Sequence, residues 1–138
     1  MKTMASKGHE RGLERFFGPL EAKIMTILWN EPDLYIKDVT QRLEKQGKPV
    51  SFNTVMTIMN RLVDKGALNK TSAGRASRYS PVESREHFVE NRSRELSQEL
   101  LEDFGPLVVS HMFDALEEVD PKILAELEQK IHSLKRGK

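Results

Sequence analysis

The pattern of apolar positions predicts three helices in the first half of the chain. After Pro19, which suits the first position of a helix, apolar residues recur at helical spacing as far as Trp29. Residues 34–36 have the composition of one short strand. Two apolar residues four positions apart then mark a second helix, which we expect to end at Gly47 because glycine is a common C-terminal cap.

The third helix is the most informative segment. Ser51 is a favourable N-cap, the helix is expected from Phe52 to about Lys65, and Gly66 follows as its cap. On a helical wheel its apolar residues fall within one narrow arc, namely Val55, Ile58, Met59 and Leu62. The polar residues on the opposite side are Asn53, Thr57, Asn60, Arg61 and Asp64.

The segment after the third helix predicts a β-hairpin. Residues 67–71 and 77–81 flank a turn at residues 72–75 that contains a glycine, which is the pattern of two short paired strands. Pro81 is expected to end the second strand because proline cannot donate to a strand ladder.

The last third of the chain is expected to be helical. A segment rich in charged residues predicts a helix over 84–101, and residues 103–106 interrupt it. A short helix follows, and Asp120 as N-cap with Pro121 at the first helical position opens the last one. The predicted fold class is therefore mostly α with a small β-hairpin.

Charge is distributed unevenly along the chain, although the net charge is only +1. Residues 36–82 carry nine Lys and Arg against three Asp and Glu, whereas residues 83–138 carry eight against thirteen. A basic segment is the electrostatic footprint of a protein that binds a polyanion, and a chance drift of composition is the alternative.

Composition argues against several classes of protein. The chain has no cysteine, which excludes disulfides and thiolate metal sites and suits the reducing cytoplasm, where we expect the protein. No apolar run approaches the length of a membrane span, and the first 15 residues lack the apolar region of a secretory signal, so no membrane insertion is expected. The four histidines have no ligand partner at helical spacing, and no residues propose a catalytic triad, so we expect no metal, no cofactor and no enzyme activity.

The polar face of the third helix suits the recognition of DNA. The major groove of duplex DNA admits one helix, and short polar side chains let its backbone approach the base edges. Asparagine can pair with adenine through two hydrogen bonds, and threonine offers a hydroxyl and a methyl group. Ser51 at the N-cap places backbone N–H groups beside a phosphate, while Arg61 and Lys65 suit further phosphates. A merely solvated helix face is the alternative interpretation.

The hairpin completes a familiar order of elements: helix, helix, turn, helix, hairpin. Its basic residues Lys70, Arg75 and Arg78 would make it a wing that lies along a phosphate strand or a minor groove. The order of elements predicts a winged helix-turn-helix.

The C-terminal helices carry more apolar surface than so short a segment could bury alone, which favours a dimer over a segment that folds back on its own domain. The candidate interface residues are Phe88, Leu96, Leu100, Phe104, Leu107, Val108, Met112, Phe113, Ile123, Leu127 and Ile131.

Several motifs along the chain also resemble those of a known family. The matching motifs are Gly18-Pro19-Leu20-Glu21 through Ile27-Leu28-Trp29, Ser51 through Thr57, Arg61-Leu62, Lys65-Gly66-Ala67-Leu68, Gly74-Arg75 and Tyr79-Ser80-Pro81. In this order they resemble the penicillinase-repressor family, the BlaI and MecI type with a copper-responsive CopY branch. The resemblance runs from about Gly18 to about Leu134, and it is most specific from Ser51 to Pro81.

The resemblance implies a dimeric winged-helix repressor whose C-terminal helices interlock. Carried over by position, the base-reading residues are Asn53, Thr54, Thr57 and the neighbouring Met56, and the phosphate contacts are Ser51, Arg61, Arg75 and Arg78. Family members are released from DNA when a membrane sensor-protease leads to cleavage, commonly at an Asn-Phe bond. The corresponding bond here is Asp103-Phe104, so the asparagine is absent. The cysteine-rich copper motif of the CopY branch is absent as well.

The sequence therefore predicts a repressor that binds a palindromic operator in double-stranded DNA as a homodimer, with a sensor-protease as a further partner. The expected organisation is a flexible tail at 1–16, a DNA-binding domain at 17–82 and a helical dimerisation domain at 83–138. The alternative is a winged-helix module for protein interaction that does not bind DNA sequence-specifically, since a fold does not fix a function.

Overall fold

A computed structural model of the chain describes residues 12–136. The elements in this part are α1 (Pro19–Asn30), β1 (Leu34–Tyr35), α2 (Ile36–Lys45), α3 (Phe52–Asp64), β2 (Leu68–Ala73), β3 (Ala76–Pro81), α4 (Arg85–Phe104), α5 (Pro106–Val119) and α6 (Pro121–Arg136). The predicted mostly α fold with a small β-hairpin in a winged helix-turn-helix order is confirmed.

Local sequence explains where the helices begin and end. Helix α1 starts with Pro19, and the carboxylate of Glu21 accepts a hydrogen bond of 2.9 Å from the backbone N–H of Gly18. Helix α2 ends at Lys45, two residues before the cap predicted at Gly47, which adopts the left-handed conformation after the last turn.

The hairpin is part of a three-stranded antiparallel sheet in the order β1-β3-β2. Strands β2 and β3 pair from Leu68 opposite Pro81 to Ala73 opposite Ala76, and Gly74 in the turn has a positive φ of 70°. The short strand β1 adds to the other edge of β3, with Leu34 opposite Tyr79.

The core of the first part of the chain lies between α1, α2, α3 and the sheet. The arc predicted to be apolar on α3 is buried at all four positions, Val55, Ile58, Met59 and Leu62. They pack in one cluster with the buried faces of α1 and α2 and with Leu68 and Tyr79 of the wing. Burial of this stripe orients α3, because the opposite polar face must then point to solvent.

The prediction of a flexible tail over residues 1–16 is corrected where the structure describes it. Leu13 is only 1% exposed and belongs to the core cluster, and its carbonyl accepts hydrogen bonds from the backbone N–H groups of Phe16 and Phe17. The other residues of the predicted tail, 1–11, lie outside the described residues.

The predicted role of Phe88 in dimerisation is wrong, because its side chain is 4% exposed and packs in the core of the winged domain. Its ring stacks on Phe17 at 5.1 Å between ring centroids and lies 5.6 Å from the ring of Trp29. Trp29 Nε1 also donates a 3.0 Å hydrogen bond to the carbonyl of Glu83. The chain accordingly divides into two compact units between Asn91 and Arg92, later than the boundary predicted after residue 82.

The second unit consists of helices only, in the part of it that the structure describes. Helix α4 runs on to Phe104, past the predicted end at residue 101. The break falls at Gly105, which has a positive φ of 68° and is followed by Pro106 at the start of α5. Asp120 precedes α6 as predicted, and its carboxylate accepts a hydrogen bond from the N–H of Lys122.

Helices α1 to α6, as far as residue 136, include none with the length and apolar character that crossing a membrane requires.

Candidate nucleic-acid interface

The solvent face of α3 starts at its N-cap. Ser51 Oγ accepts a hydrogen bond of 3.2 Å from the backbone N–H of Thr54 and donates one of 2.9 Å to Thr54 Oγ1. One turn further on, Thr57 Oγ1 donates a 2.9 Å hydrogen bond to the carbonyl of Asn53. All four residues are exposed, so the first two turns of α3 present short, ordered polar side chains to solvent.

A cleft of about 780 Å³ lies beside this face, between the start of α2, the first half of α3 and the wing. It is lined by Tyr35, Ile36, Lys37, Asp38, Phe52, Met56, Asn60, Lys70, Arg75, Ala76, Ser77 and Tyr79. The floor is apolar, where Met56 is half-buried and Phe52 is 48% exposed. The cleft joins the predicted base-reading helix to the predicted wing in one concave surface.

Asn60, predicted on the polar face that binds DNA, uses its side-chain oxygen within the protein. Its Oδ1 accepts a hydrogen bond of 2.9 Å from the hydroxyl of Tyr79 and one of 3.1 Å from Nζ of Lys70. The ring of Tyr79 is 1% exposed, and the Lys70 ammonium lies 5.7 Å from its centroid. The prediction that Asn60 belongs to the DNA-binding face is therefore corrected: its acceptor is used inside the protein, between α3 and the wing.

Lys65 is also turned away from the predicted phosphate contact. Its Nζ lies 3.0 Å from Oε1 and 3.2 Å from Oε2 of Glu21 and 5.9 Å from the centroid of Phe17. Burial of Glu21 by itself raises the pKa of its carboxyl group, but the hydrogen bond from the Gly18 N–H and the Lys65 ammonium outweigh burial, and the pKa is lowered. Lys65 holds the end of α3 on the start of α1.

The remaining predicted phosphate contacts differ in what they touch. Arg78 Nη1 lies 3.2 Å from Oδ2 of Asp33, so one of the three predicted basic residues of the wing forms an ion pair within the protein. Arg61 and Arg75 are exposed, the first on α3 and the second at the cleft beside the hairpin turn. Exposed guanidinium groups at these two places suit phosphate oxygens.

Sequence reasoning gave no role to Tyr35, Lys37 and Ser77, which line the same cleft. Asp38 beside them accepts a 3.0 Å hydrogen bond from the backbone N–H of Tyr35, which caps the start of α2. No periodicity points to these residues, because they come from three different elements, β1, α2 and β3, that meet only in the folded chain. The exposed ring of Phe52 did carry a signal, since it lies outside the apolar arc of α3.

Comparison with known proteins identifies related sequences. Residues 17–133 match the sequence profile of the family described as "Penicillinase repressor". A stretch of 74 residues is 34% identical to the "Transcriptional regulator BlaI" of Mycobacterium tuberculosis (strain CDC 1551 / Oshkosh), covering 52% of this chain and 52% of that protein. A stretch of 73 residues is 30% identical to the "Penicillinase repressor" of Bacillus licheniformis, covering 53% of this chain and 56% of that protein. The chain thus spans about half the length of these curated relatives.

Similar solved structures include the transcriptional regulator Tm0710 from Thermotoga maritima, with a TM-score of 0.49 and 21% identity, covering 93% of this chain and 90% of that one. A MarR family protein from Bacillus stearothermophilus gives a TM-score of 0.47 at 14% identity, covering 99% and 88%. At these TM-scores the likenesses do not decide the family, which rests on the sequence. The family profile covers most of the chain and confirms the resemblance read from the motifs, so the chain belongs to the penicillinase repressor family.

Proposed function

We propose that the chain is a transcriptional repressor that binds a palindromic operator in double-stranded DNA as a homodimer through its winged helix. The observation that carries the proposal is the exposed polar face over the first two turns of α3, beside a cleft with exposed basic side chains. Membership of the penicillinase repressor family supports it. Such a repressor acts in the cytoplasm, where bacterial DNA is found.

The chemistry of the α3 face fits base readout followed by phosphate contact. Asn53, Thr54 and Thr57 are short enough to let the helix enter the major groove, and Met56 beside them offers an apolar contact for a thymine methyl group. Ser51 lies at the N-terminus of α3, where N–H groups and the helix dipole favour a phosphate. Arg61 and Arg75 add phosphate contacts on either side of this face.

The second unit supports a homodimer. Among the side chains described between residues 92 and 136, none is buried, and Phe104 and Leu107 are each 64% exposed. Three further residues of the proposed interface are at least 40% exposed, namely Met112, Ile123 and Ile131. The others are half-buried, namely Leu96, Leu100, Val108, Phe113 and Leu127. Helices with this much apolar surface need a cover, and a second copy of the same helices supplies one with two-fold symmetry.

Release from DNA is proposed to follow cleavage of the Asp103-Phe104 bond by a sensor-protease. Both side chains are exposed, and the two residues form the C-terminal end of α4, before the break at Gly105. A peptide bond at a helix end reaches the extended shape that proteases bind more easily than one in mid-helix. Cleavage there would detach α5 and α6 and remove most of the proposed dimer surface.

The test is to measure binding of the full chain to random-sequence DNA at low salt and then to select bound sites from a random pool. We expect binding that weakens steeply with salt, and enriched sites with two-fold symmetry and half-sites about 10 base pairs apart. Arg75→Ala should weaken binding to all sequences alike and lower the salt slope by about 1, whereas Lys23→Ala on the exposed side of α1 is the matched control. Absence of binding at low salt would contradict the proposal in favour of a protein-interaction module. Enriched sites without symmetry would contradict the dimeric, palindromic part.

A further inference from the structure

The geometry points to Asn60 as the residue that positions the wing relative to the base-reading helix. This role rests on the proposed function and adds to it a residue that orients the wing. Asn60 lies on α3, while both donors to its side-chain oxygen, Tyr79 and Lys70, belong to the two strands of the wing. One amide oxygen therefore ties the recognition helix to both strands.

The two hydrogen bonds reach the Asn60 oxygen from different strands of the wing. Tyr79 is in β3 at the pairing position opposite Lys70 in β2, so the two donors approach Asn60 from neighbouring strands. The Tyr79 ring is fully packed in the core, which gives its hydroxyl little freedom. The Asn60 oxygen thus accepts from one rigid donor and from the exposed Lys70 ammonium, which lies 5.7 Å from the centroid of the Tyr79 ring.

This arrangement assigns different tasks to the basic residues of the wing. All three are exposed, but Lys70 donates a hydrogen bond to Asn60 and Arg78 pairs with Asp33, whereas Arg75 beside the hairpin turn makes neither kind of contact among the described residues. Asn60 holds the strands that flank Arg75, so the reach of Arg75 to a phosphate depends on a residue whose side-chain oxygen is already used within the protein. Asn60 is a positioning residue, and a change there should alter phosphate contact at the wing but leave base preference at α3 intact.

The experiment compares Asn60→Leu, which removes the acceptor at similar size, with Asn60→Asp, which keeps an acceptor for both donors. In the free protein, amide hydrogen exchange of residues 68–81 should rise in Asn60→Leu and stay near the wild-type rate in Asn60→Asp. On DNA, Asn60→Leu should weaken binding to all sequences by a similar factor and lower the salt slope by about 1, the change expected when one phosphate contact is lost. Its selected base preference should equal that of the wild type.

Two further variants keep the test decisive. Tyr79→Phe removes only the hydroxyl donor and leaves the packed ring, so it should show an intermediate rise in exchange. Asn30→Leu makes the same chemical change at an exposed asparagine at the end of α1 and should change neither quantity. Normal exchange in the wing of Asn60→Leu, or a changed base preference with an unchanged salt slope, would overturn the proposal. If the wild type does not bind DNA, the proposed function fails, while the exchange measurements still decide whether Asn60 positions the wing.

Discussion

Lys65 Nζ and Glu21 Oε1 are 3.0 Å apart and join the C-terminal end of α3 to the first turn of α1. The Glu21 side chain is 11% exposed and that of Lys65 is 45% exposed, so the pair lies at the edge of the core. The same carboxylate accepts the N–H of Gly18, which makes Glu21 both the cap of α1 and the anchor of α3.

Lys65→Met should lower the free energy of unfolding without changing DNA affinity. The substitution leaves the mostly buried Glu21 carboxylate with the Gly18 N–H as its remaining described hydrogen bond, and a loss of about 1 kcal/mol is expected. Urea denaturation and DNA titration check the two parts. Arg61→Met on the same helix serves as the comparison, because its exposed guanidinium is expected to contact phosphate. A drop in DNA affinity equal to that of Arg61→Met would contradict this prediction and show that Lys65 contacts DNA.

Glu21 should make stability depend on pH in the acid range. Its pKa is lowered in the folded state, so its contribution is complete above the ordinary value near 4.5 and is lost as pH falls through the lower folded value. Glu21→Gln removes this dependence. The difference in unfolding free energy between wild type and Glu21→Gln should be constant above about pH 5 and shrink below it. A difference that grows on acidification would show that the sign is wrong.

Thr57→Ala should relax base preference at one base pair of each half-site. A contact to a single base edge is worth about 1–3 kcal/mol of discrimination, and the loss should be confined to that pair. Selection from random DNA with wild type and variant measures it. Thr71→Ala, an exposed threonine on the wing strand β2, is the matched control. An unchanged preference in Thr57→Ala would mean that α3 does not enter the groove by this face.

Phe88→Ala should destabilise the winged unit and leave the proposed dimer intact. The ring is 4% exposed and contacts Phe16, Phe17 and Trp29, and truncation of a buried phenylalanine costs about 3–5 kcal/mol. Thermal unfolding and analytical ultracentrifugation at low temperature separate the two effects. Phe88→Leu, which leaves a smaller cavity, provides a folded protein for the second measurement. Dissociation of the dimer without loss of stability would contradict this prediction and show that Phe88 lies in the dimer interface.

Leu107→Glu should shift the protein from dimer to monomer. A charge placed in an apolar interface costs about 3 kcal/mol or more, which weakens association at least roughly a hundredfold. Val82→Glu, at a 49% exposed position of the first unit, should remain dimeric. Sedimentation at micromolar concentration distinguishes the two. A monomeric wild type, or a dimeric Leu107→Glu, would refute the proposed interface.

Local patterns predicted the elements well because their causes are local. The apolar arc of α3 is buried at each predicted position, and the glycine turn of the hairpin falls at residue 74. Ser51 caps α3 as its type and place suggested. Each of these can be predicted from the order of residue types within a short segment, which a helical wheel or a turn rule expresses directly.

The failures involve partners far apart in the sequence. Phe88 was assigned to the dimer together with the other surplus apolar residues of the C-terminal helices, but it packs against the rings of Phe17 and Trp29. Asn60 and Lys65 look like DNA contacts on a helical wheel, yet their partners lie on β3 and α1. A wheel separates buried from exposed faces, but it does not show which exposed polar atoms are already used by another element.

In the proposed DNA complex, the hydrogen bond from Thr57 Oγ1 to the carbonyl of Asn53 would restrict the bases that Thr57 can contact. With its proton committed to the helix backbone, the hydroxyl faces outward only as an acceptor. In the major groove it can then receive an amino group, from adenine N6 or cytosine N4, while the keto oxygens of guanine and thymine find no donor there. The Thr57 methyl group beside it suits the C5 methyl group of thymine, so an A·T pair would offer a partner to both groups of this side chain.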